Sequence, residues 1–172
     1  KDDYINILES MNKQKTISAR IIKKLSEPEK FDSFLYNDLV RCKSNIIKSK
    51  DFIEKNIIIQ DVGSYLITKY LNPQKDVLVL DLCAAPGNKT LHMAKSAKVV
   101  YANEINKKRF ELLKGNTIDT KNIKILNCDA SNKKELDFEL KGIKFDKILI
   151  DAPCSGWGVF RSKPEMKIYQ NP

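Results

Sequence analysis

Val77-Leu78-Val79-Leu80-Asp81-Leu82-Cys83-Ala84-Ala85-Pro86-Gly87-Asn88-Lys89-Thr90 decides the fold class of this chain. Its first four residues are a short apolar, β-branched run with polar flanks, which reads as a buried strand. Pro86-Gly87 marks a turn, and Thr90 to Lys95 begins a helix. The same unit then recurs. Val99-Val100-Tyr101-Ala102 reads as a second strand, and Lys107 to Leu113 as a helix closed by Gly115. Ile123 to Leu126 is a third strand, Leu136 to Leu140 a short helix or turn, and Phe145 to Ile150 a fourth strand. Upstream, Val62 to Tyr70 has a helical pattern that stops at Asn72-Pro73. Repeated β-α units give parallel strands joined by right-handed crossovers, an α/β fold.

The chain before residue 58 has a different character. Tyr4, Ile5, Ile7, Leu8 and Met11 recur at helical spacing, as do Phe34, Leu35, Leu39 and Val40. Ser26-Glu27-Pro28-Glu29 resembles a helix start with proline in its first turn. Residues 1–58 are therefore expected to form a mainly helical segment, and 59–172 the α/β core with its first four strands. Residues 43–58 fit either a linker or a short strand ending at Ile57-Ile58-Ile59.

Composition narrows the function classes. The 172 residues carry a net charge of +9 and are 42% hydrophobic, which fits a packed globule with a polyanionic partner. Residues 1–58 hold 12 Lys+Arg against 9 Asp+Glu, and the rest 19 against 13, so there is no basic tail. A lysine-rich coding bias explains the excess equally well, and either origin gives a salt-sensitive attraction for RNA. Cys42, Cys83, Cys128 and Cys154 lack C-x-x-C spacing and His92 is the single histidine, so no metal is expected. No secretory signal or membrane-length apolar run occurs, which points to an intracellular protein whose compartment the sequence does not specify.

Each strand end carries a candidate ligand group. Ala84, Ala85 and Gly87 let the backbone approach a ligand, Pro86 stiffens the turn, and Lys89 adds charge beside the helix start. Glu104 ends the second strand, where an acid accepts hydrogen bonds from ribose hydroxyls; a solvated surface glutamate is the bland alternative. Asp129 ends the third strand and Asp151 the fourth. The loop has no G-x-G-x-x-G, which a dinucleotide diphosphate needs, so NAD is disfavoured. After the fourth strand comes Asp151-Ala152-Pro153-Cys154-Ser155-Gly156, in place of the D/N-P-P-aromatic run of amino-group methyltransferases. A thiol beside a rigid proline suits covalent work on a ring carbon.

Asp81-Leu82-Cys83-Ala84-Ala85-Pro86-Gly87-Asn88-Lys89-Thr90 and Asp151-Ala152-Pro153-Cys154 together resemble the RNA cytosine-C5 methyltransferases of the NOL1/NOP2/Sun and bacterial Fmu (RsmB-like) type. The resemblance begins at Gln60-Asp61-Val62-Gly63-Ser64 and runs to Pro164. It implies a Rossmann-like S-adenosylmethionine-dependent sheet, incomplete at the C-terminus, and a partner that is rRNA or tRNA. It implies that Cys83, Ala84, Ala85, Pro86, Gly87, Asn88, Lys89, Glu104, Asp129 and Asp151 hold the cofactor, Asp129 at the adenine amino group and Asp151 near the methionine part and the target base. Asn88 departs from the family, where glycine is usual; asparagine tolerates left-handed backbone.

The resemblance also implies a mechanism. A thiolate adds to C6 of an unstacked cytosine, C5 takes the methyl group, a base removes the C5 proton and the thiolate leaves. The family uses two cysteines. The one matching Cys154 releases the product, and the attacking one belongs to a later Thr-Cys-Ser motif that these 172 residues do not contain. The chain is thus expected to be part of a longer enzyme lacking its nucleophile segment. A catalytically silent cofactor-binding module acting in RNA or ribosome assembly is the alternative, and a small-molecule methyltransferase or dehydrogenase is a third class. For Cys154 itself, a buried thiol supporting the loop stays open. His92 reads as packed or capping. Trp157 and Phe160 fit either base stacking or the core, and Arg161 and Lys163 either RNA contact or a solvated loop.

Overall fold

A computed structural model describes residues 16–43 and 45–153, together with Ile5 and Glu9. Two four-stranded sheets make up this region. The first is antiparallel. Its strands are β1 (Ser18–Ile21), β2 (Phe31–Tyr36), β3 (Leu39–Cys42) and β4 (Ile57–Ile59), in the order β2-β3-β1-β4. Ala19 pairs with Val40 on one side and with Ile59 on the other. Ala19, Val40, Cys42, Ile46 and Ile57 bury one face. Two 3-10 turns (Pro28–Lys30 and Ile46–Lys48) and the short helix α1 (Lys50–Ile53) complete this part.

The helical expectation for this region is corrected. Phe34 and Leu35 lie on β2, and Leu39 and Val40 on β3. Tyr36 pairs with Leu39 across the two-residue turn Asn37-Asp38, so this is a tight hairpin. Two adjacent apolar pairs, five apart, satisfy the helical period and the strand period alike. The turn chemistry decides between them. The proline signal survives only as the 3-10 turn at Pro28. The expected helical spacing of Tyr4 to Met11 falls largely outside the described residues. β4 keeps the antiparallel sheet going to Ile59, and the chain enters its next helix at Val62.

The second sheet is parallel: β5 (Leu78–Asp81), β6 (Val99–Asn103), β7 (Ile123–Leu126) and β8 (Lys147–Leu149), in the order β7-β6-β5-β8. Leu80 pairs with Tyr101 on one side and Ile148 on the other. The helices are α2 (Val62–Leu71), α3 (Asn88–Ala94), α4 (Lys107–Thr117) and α5 (Lys133–Leu140). The strands sit where their β-branched runs predict. One correction is that α4 continues through Gly115 to Thr117. Nothing lies within 4 Å of a Cβ built on Gly115, so its position in the helix reflects tolerance, not a stop.

Both faces of the parallel sheet are covered, as its apolar strands require. Val79, Val100 and Leu149 pack against Met93, Ala94 and Ala97. Leu80 and Tyr101 pack against Leu140 on the other face, joined by Leu136 and Phe145. Chain order reverses at β5, with β6 on one side and β8 on the other. A crevice outside the carboxyl ends of these strands is the usual ligand position in such sheets.

The two sheets meet through polar contacts. The Tyr65 hydroxyl donates to Asp38 Oδ1 at 2.5 Å, and Lys95 Nζ lies 3.6 Å from Asp38 Oδ2. Tyr65 stacks on Tyr36 at 5.3 Å and lies 5.0 Å from the His92 ring. His92 is buried, and burial together with Arg20 drives its pKa down to about 3, so the ring is neutral. The Thr68 hydroxyl donates to the Tyr65 carbonyl, so its contact with His92 Nδ1 must be donated by the ring. His92 is a packed residue.

Candidate cofactor cleft

The turn after β5 has one obligatory residue. Gly87 has φ +108° and caps α3 with its backbone, since it has no side chain to do so. A Cβ there would stand 3.1 Å from Leu113 Cδ1 and 3.3 Å from Thr117 Cγ2. Only glycine fits both the angle and the space. The Gly87 N–H bonds the Ala84 carbonyl at 2.8 Å, and the Ala84 N–H bonds the Asn103 carbonyl at 2.8 Å. The loop is thereby tied to the tip of the neighbouring strand.

A cleft of about 240 Å³ opens at this loop. One wall is Cys83, Ala84, Ala85, Pro86, Asn88 and Lys89, with Asp81 at its base; the other is Ile59, Gln60, Asp61 and Ser64. Asp81 is 1% exposed, and its Oδ2 accepts from the Thr90 hydroxyl at 2.7 Å. Burial raises its pKa to about 6, with Thr90 and Lys89 opposing the shift. Lys89 Nζ contacts Asp151 Oδ2 at 2.6 Å. Asp151 thus reaches the cleft through Lys89, bringing the ends of β5 and β8 together.

Asn88 lies in the first turn of α3, and its side-chain amide donates to the Ile59 carbonyl at 2.9 Å. The left-handed backbone expected at this position is at Gly87 instead; Asn88 joins the two walls. Glu104 is 3% exposed at the end of β6. Its Oε1 accepts from the Asn106 N–H at 2.9 Å. Its Oε2 lies 3.4 Å from Arg109 Nη2 yet accepts no hydrogen bond. Arg109 in turn donates to the Ala85 carbonyl at 2.7 Å, so Glu104 and the loop share one guanidinium. A buried carboxylate oxygen without a donor fits a site that receives hydroxyl donors from a ligand.

Asp129 stands apart from the cleft wall. Its Oδ1 accepts from the Ser131 N–H at 2.9 Å and the Ser131 hydroxyl at 2.7 Å, which hold its pKa below the usual carboxylate value. The N-cap of α5 is Asn132, whose side chain accepts from the Lys134 and Glu135 N–H groups. Cys154 lies outside the described residues, as do Trp157, Phe160, Arg161 and Lys163. Burial raises the pKa of Cys83, and Cys42 reaches about 11, so neither is a ready thiolate.

Sequence reasoning passed over several site residues. Gln60, Asp61 and Ser64 line the cleft although they lie 19 to 23 positions before the loop's first residue, Cys83. Their one sequence signal is the Gln60-Asp61-x-x-Ser64 run. Asn103, 1% exposed, donates to the Leu82 and Cys128 carbonyls and accepts from the Cys128 N–H, stitching three strand ends together. Nothing in its sequence context marks it.

The parallel sheet with its reversal at β5, the glycine-turned loop and an acid at the next strand end define a Rossmann-like methyltransferase domain. The model of the 16S rRNA methyltransferase RsmB/F family matches residues 68–172, and the chain belongs to that family. A probable ribosomal RNA small subunit methyltransferase B of Bacillus subtilis is 33% identical over 170 residues, 94% of this chain and 37% of that protein. A human 28S rRNA (cytosine(4447)-C(5))-methyltransferase is 33% identical over 120 residues, 68% of this chain and 14% of its own length. Among solved structures, that of PH0851 superposes with a TM-score of 0.82 at 29% identity, covering 99% of this chain and 42% of that one. NSun6 from Pyrococcus horikoshii, solved with SFG, gives 0.56 at 30% identity over 66% of this chain and 29% of its own. The chain thus spans well under half the length of the curated relatives it matches.

Proposed function

We propose that this chain forms the cofactor-binding part of an S-adenosylmethionine-dependent enzyme that methylates C5 of cytosine in rRNA. The observation that carries the cofactor reading is Glu104. Its Oε2 is buried at the end of β6, one strand from the glycine-turned loop, and accepts no hydrogen bond, with the Arg109 guanidinium 3.4 Å away. A buried carboxylate oxygen that accepts no hydrogen bond is costly unless a ligand donates to it, and a ribose diol can do so. NSun6 bound to SFG, an analogue of the cofactor, supports the same reading. The rRNA substrate is supported by the names of the relatives and by the charge of +9.

The residues divide the work as follows. Glu104 holds the ribose hydroxyls, with Arg109 keeping it against the loop. The loop backbone from Cys83 to Lys89 holds the methionyl part, and Asp129 at the end of β7 takes the adenine amino group. Asp151 and Asp81 suit an ammonium group. When bound, the cofactor supplies an electrophilic methyl group. Cys154 occupies the sequence position to which the family resemblance assigns release of the product.

Calorimetry with S-adenosylmethionine and with NAD tests the reading. Binding of the first and not the second is expected; binding of NAD alone overturns it.

A further inference from the structure

The side of α4 that meets the cofactor loop carries a residue that the cofactor reading leaves unused. Arg109, Leu113, Asn116 and Thr117 follow the spacing i, i+4, i+7, i+8 and so share one side of the helix. Leu113 and Thr117 pack close against Gly87. Arg109 donates to the Ala85 carbonyl at 2.7 Å, and the Asn116 side-chain amide donates to the Pro86 carbonyl at 2.9 Å. The Ala84 carbonyl accepts from the Gly87 N–H at 2.8 Å. Three successive carbonyls of the loop are thus held, two of them from α4.

The Pro86 carbonyl takes its donor from outside the loop. Gly87 is the N-cap of α3, and its own carbonyl accepts the first bond of that helix, from the Leu91 N–H at 2.8 Å. Pro86 precedes that ladder. Its carbonyl belongs to the peptide unit that leads into Gly87, where the missing Cβ lets the backbone rotate with little steric resistance. A peptide unit is planar, so fixing the direction of the carbonyl also fixes the Gly87 N–H and the entry into α3. Asn116 stands behind the loop. It lines a groove with Phe52 and Leu91, whereas the cleft is lined by the loop itself. Asn116 therefore acts on a ligand in the cleft only through the loop.

We propose that Asn116 is a positioning residue for the cofactor: its side-chain amide pins the Pro86–Gly87 peptide, and with it the start of α3, in the orientation that receives S-adenosylmethionine. This rests on the cofactor reading above. A loop already held in its binding orientation spares the ligand the cost of ordering it. The Asn116 bond is exposed and joins two neutral groups, so it adds little to folding. An unpinned loop instead lowers the fraction of molecules competent to bind. The loss of Asn116 is therefore felt in cofactor affinity more than in stability.

Asn116→Asp in the full-length protein tests it. The side chain keeps its shape, but a carboxylate has no N–H and faces the Pro86 carbonyl with a second acceptor. The KM for S-adenosylmethionine should rise about 3- to 10-fold, the range of one neutral hydrogen bond, with kcat and the KM for rRNA within about twofold of wild type. Calorimetry should show S-adenosylmethionine binding weakened by the same factor, and the urea midpoint without ligand should stay near that of wild type. Asn116→Ala should repeat the effect and serves if Asn116→Asp fails to fold. Asn116→Gln keeps the donor and should lie closer to wild type than Asn116→Ala. Unchanged affinity in the Asp and Ala variants, a Gln variant no better than Ala, or a fall in kcat with the KM for S-adenosylmethionine unmoved overturns the assignment and leaves the cofactor reading intact. So does a lowered urea midpoint without the selective rise in KM, which would make Asn116 a structural residue. Wild-type protein that does not bind S-adenosylmethionine overturns both.

Discussion

Glu104→Gln separates binding from folding. In the wild type one carboxylate oxygen accepts from the Asn106 N–H and the other is buried without a hydrogen bond. Glutamine preserves the shape and the Asn106 contact. It removes the charge and replaces one acceptor by a donor, which opposes a ribose hydroxyl. Loss of a hydrogen bond to a charged group costs about 1.5–3 kcal/mol, about 10- to 150-fold in affinity. Stability without ligand should behave differently. The Arg109 guanidinium is 42% exposed and lies 3.4 Å away, so the lost ion pair is worth at most about 1 kcal/mol. Removal of the cost of burying the Glu104 charge offsets it. Calorimetry should show weaker S-adenosylmethionine binding, and urea unfolding without ligand should shift by less than about 1 kcal/mol. Thermal unfolding with excess cofactor should show a smaller stabilisation than in wild type. Unchanged affinity would refute the place given to Glu104. So would a large loss of stability, which would make Glu104 a structural residue.

Gly87→Ala should destabilise the domain by about 2–4 kcal/mol, combining a left-handed backbone penalty with the 3.1 Å approach to Leu113; urea unfolding followed by circular dichroism checks it, and a change under about 0.5 kcal/mol contradicts it. Asp81 gives a pH signature: burial lifts its folded pKa to about 6, above the ordinary carboxylate value of about 4, so the folded state binds the proton more tightly. The contribution of Asp81 to stability therefore falls as pH rises from about 4 to 6, and wild type should lose stability relative to Asp81→Asn across that window, with a flat difference contradicting the shift. Cys154→Ala in the full-length enzyme should leave RNA attached through the other cysteine, seen as a slow protein–RNA band on a denaturing gel; methylation at the normal rate without a band would make Cys154 a packing residue.

The parallel sheet was legible because its strands are short, apolar and β-branched between clear turn residues. Ile123–Leu126 matches the structure at both ends, and α2 ends at the Asn72-Pro73 signal, where Asn72 adopts φ 43°. The loop was legible because small residues and a glycine in sequence mark a backbone that approaches something. The antiparallel sheet was not, because Phe34, Leu35, Leu39 and Val40 fit two periods at once. The far wall of the cleft was illegible for a different reason. Gln60 becomes a cleft residue only when β4 pairs with β1 and α2 packs beside α3, and Arg20 becomes its partner only in that pairing. Asp129 shows the reverse: its position in sequence marks an acid at a strand end, whereas the described structure commits its Oδ1 to Ser131.

The position of the transferred methyl group tests the account most directly. rRNA incubated with the full-length protein and methyl-labelled S-adenosylmethionine is digested to nucleosides and separated by mass spectrometry. The label is expected in 5-methylcytidine. Label on the exocyclic nitrogen of cytidine, on another base, or in no nucleoside of rRNA would contradict it.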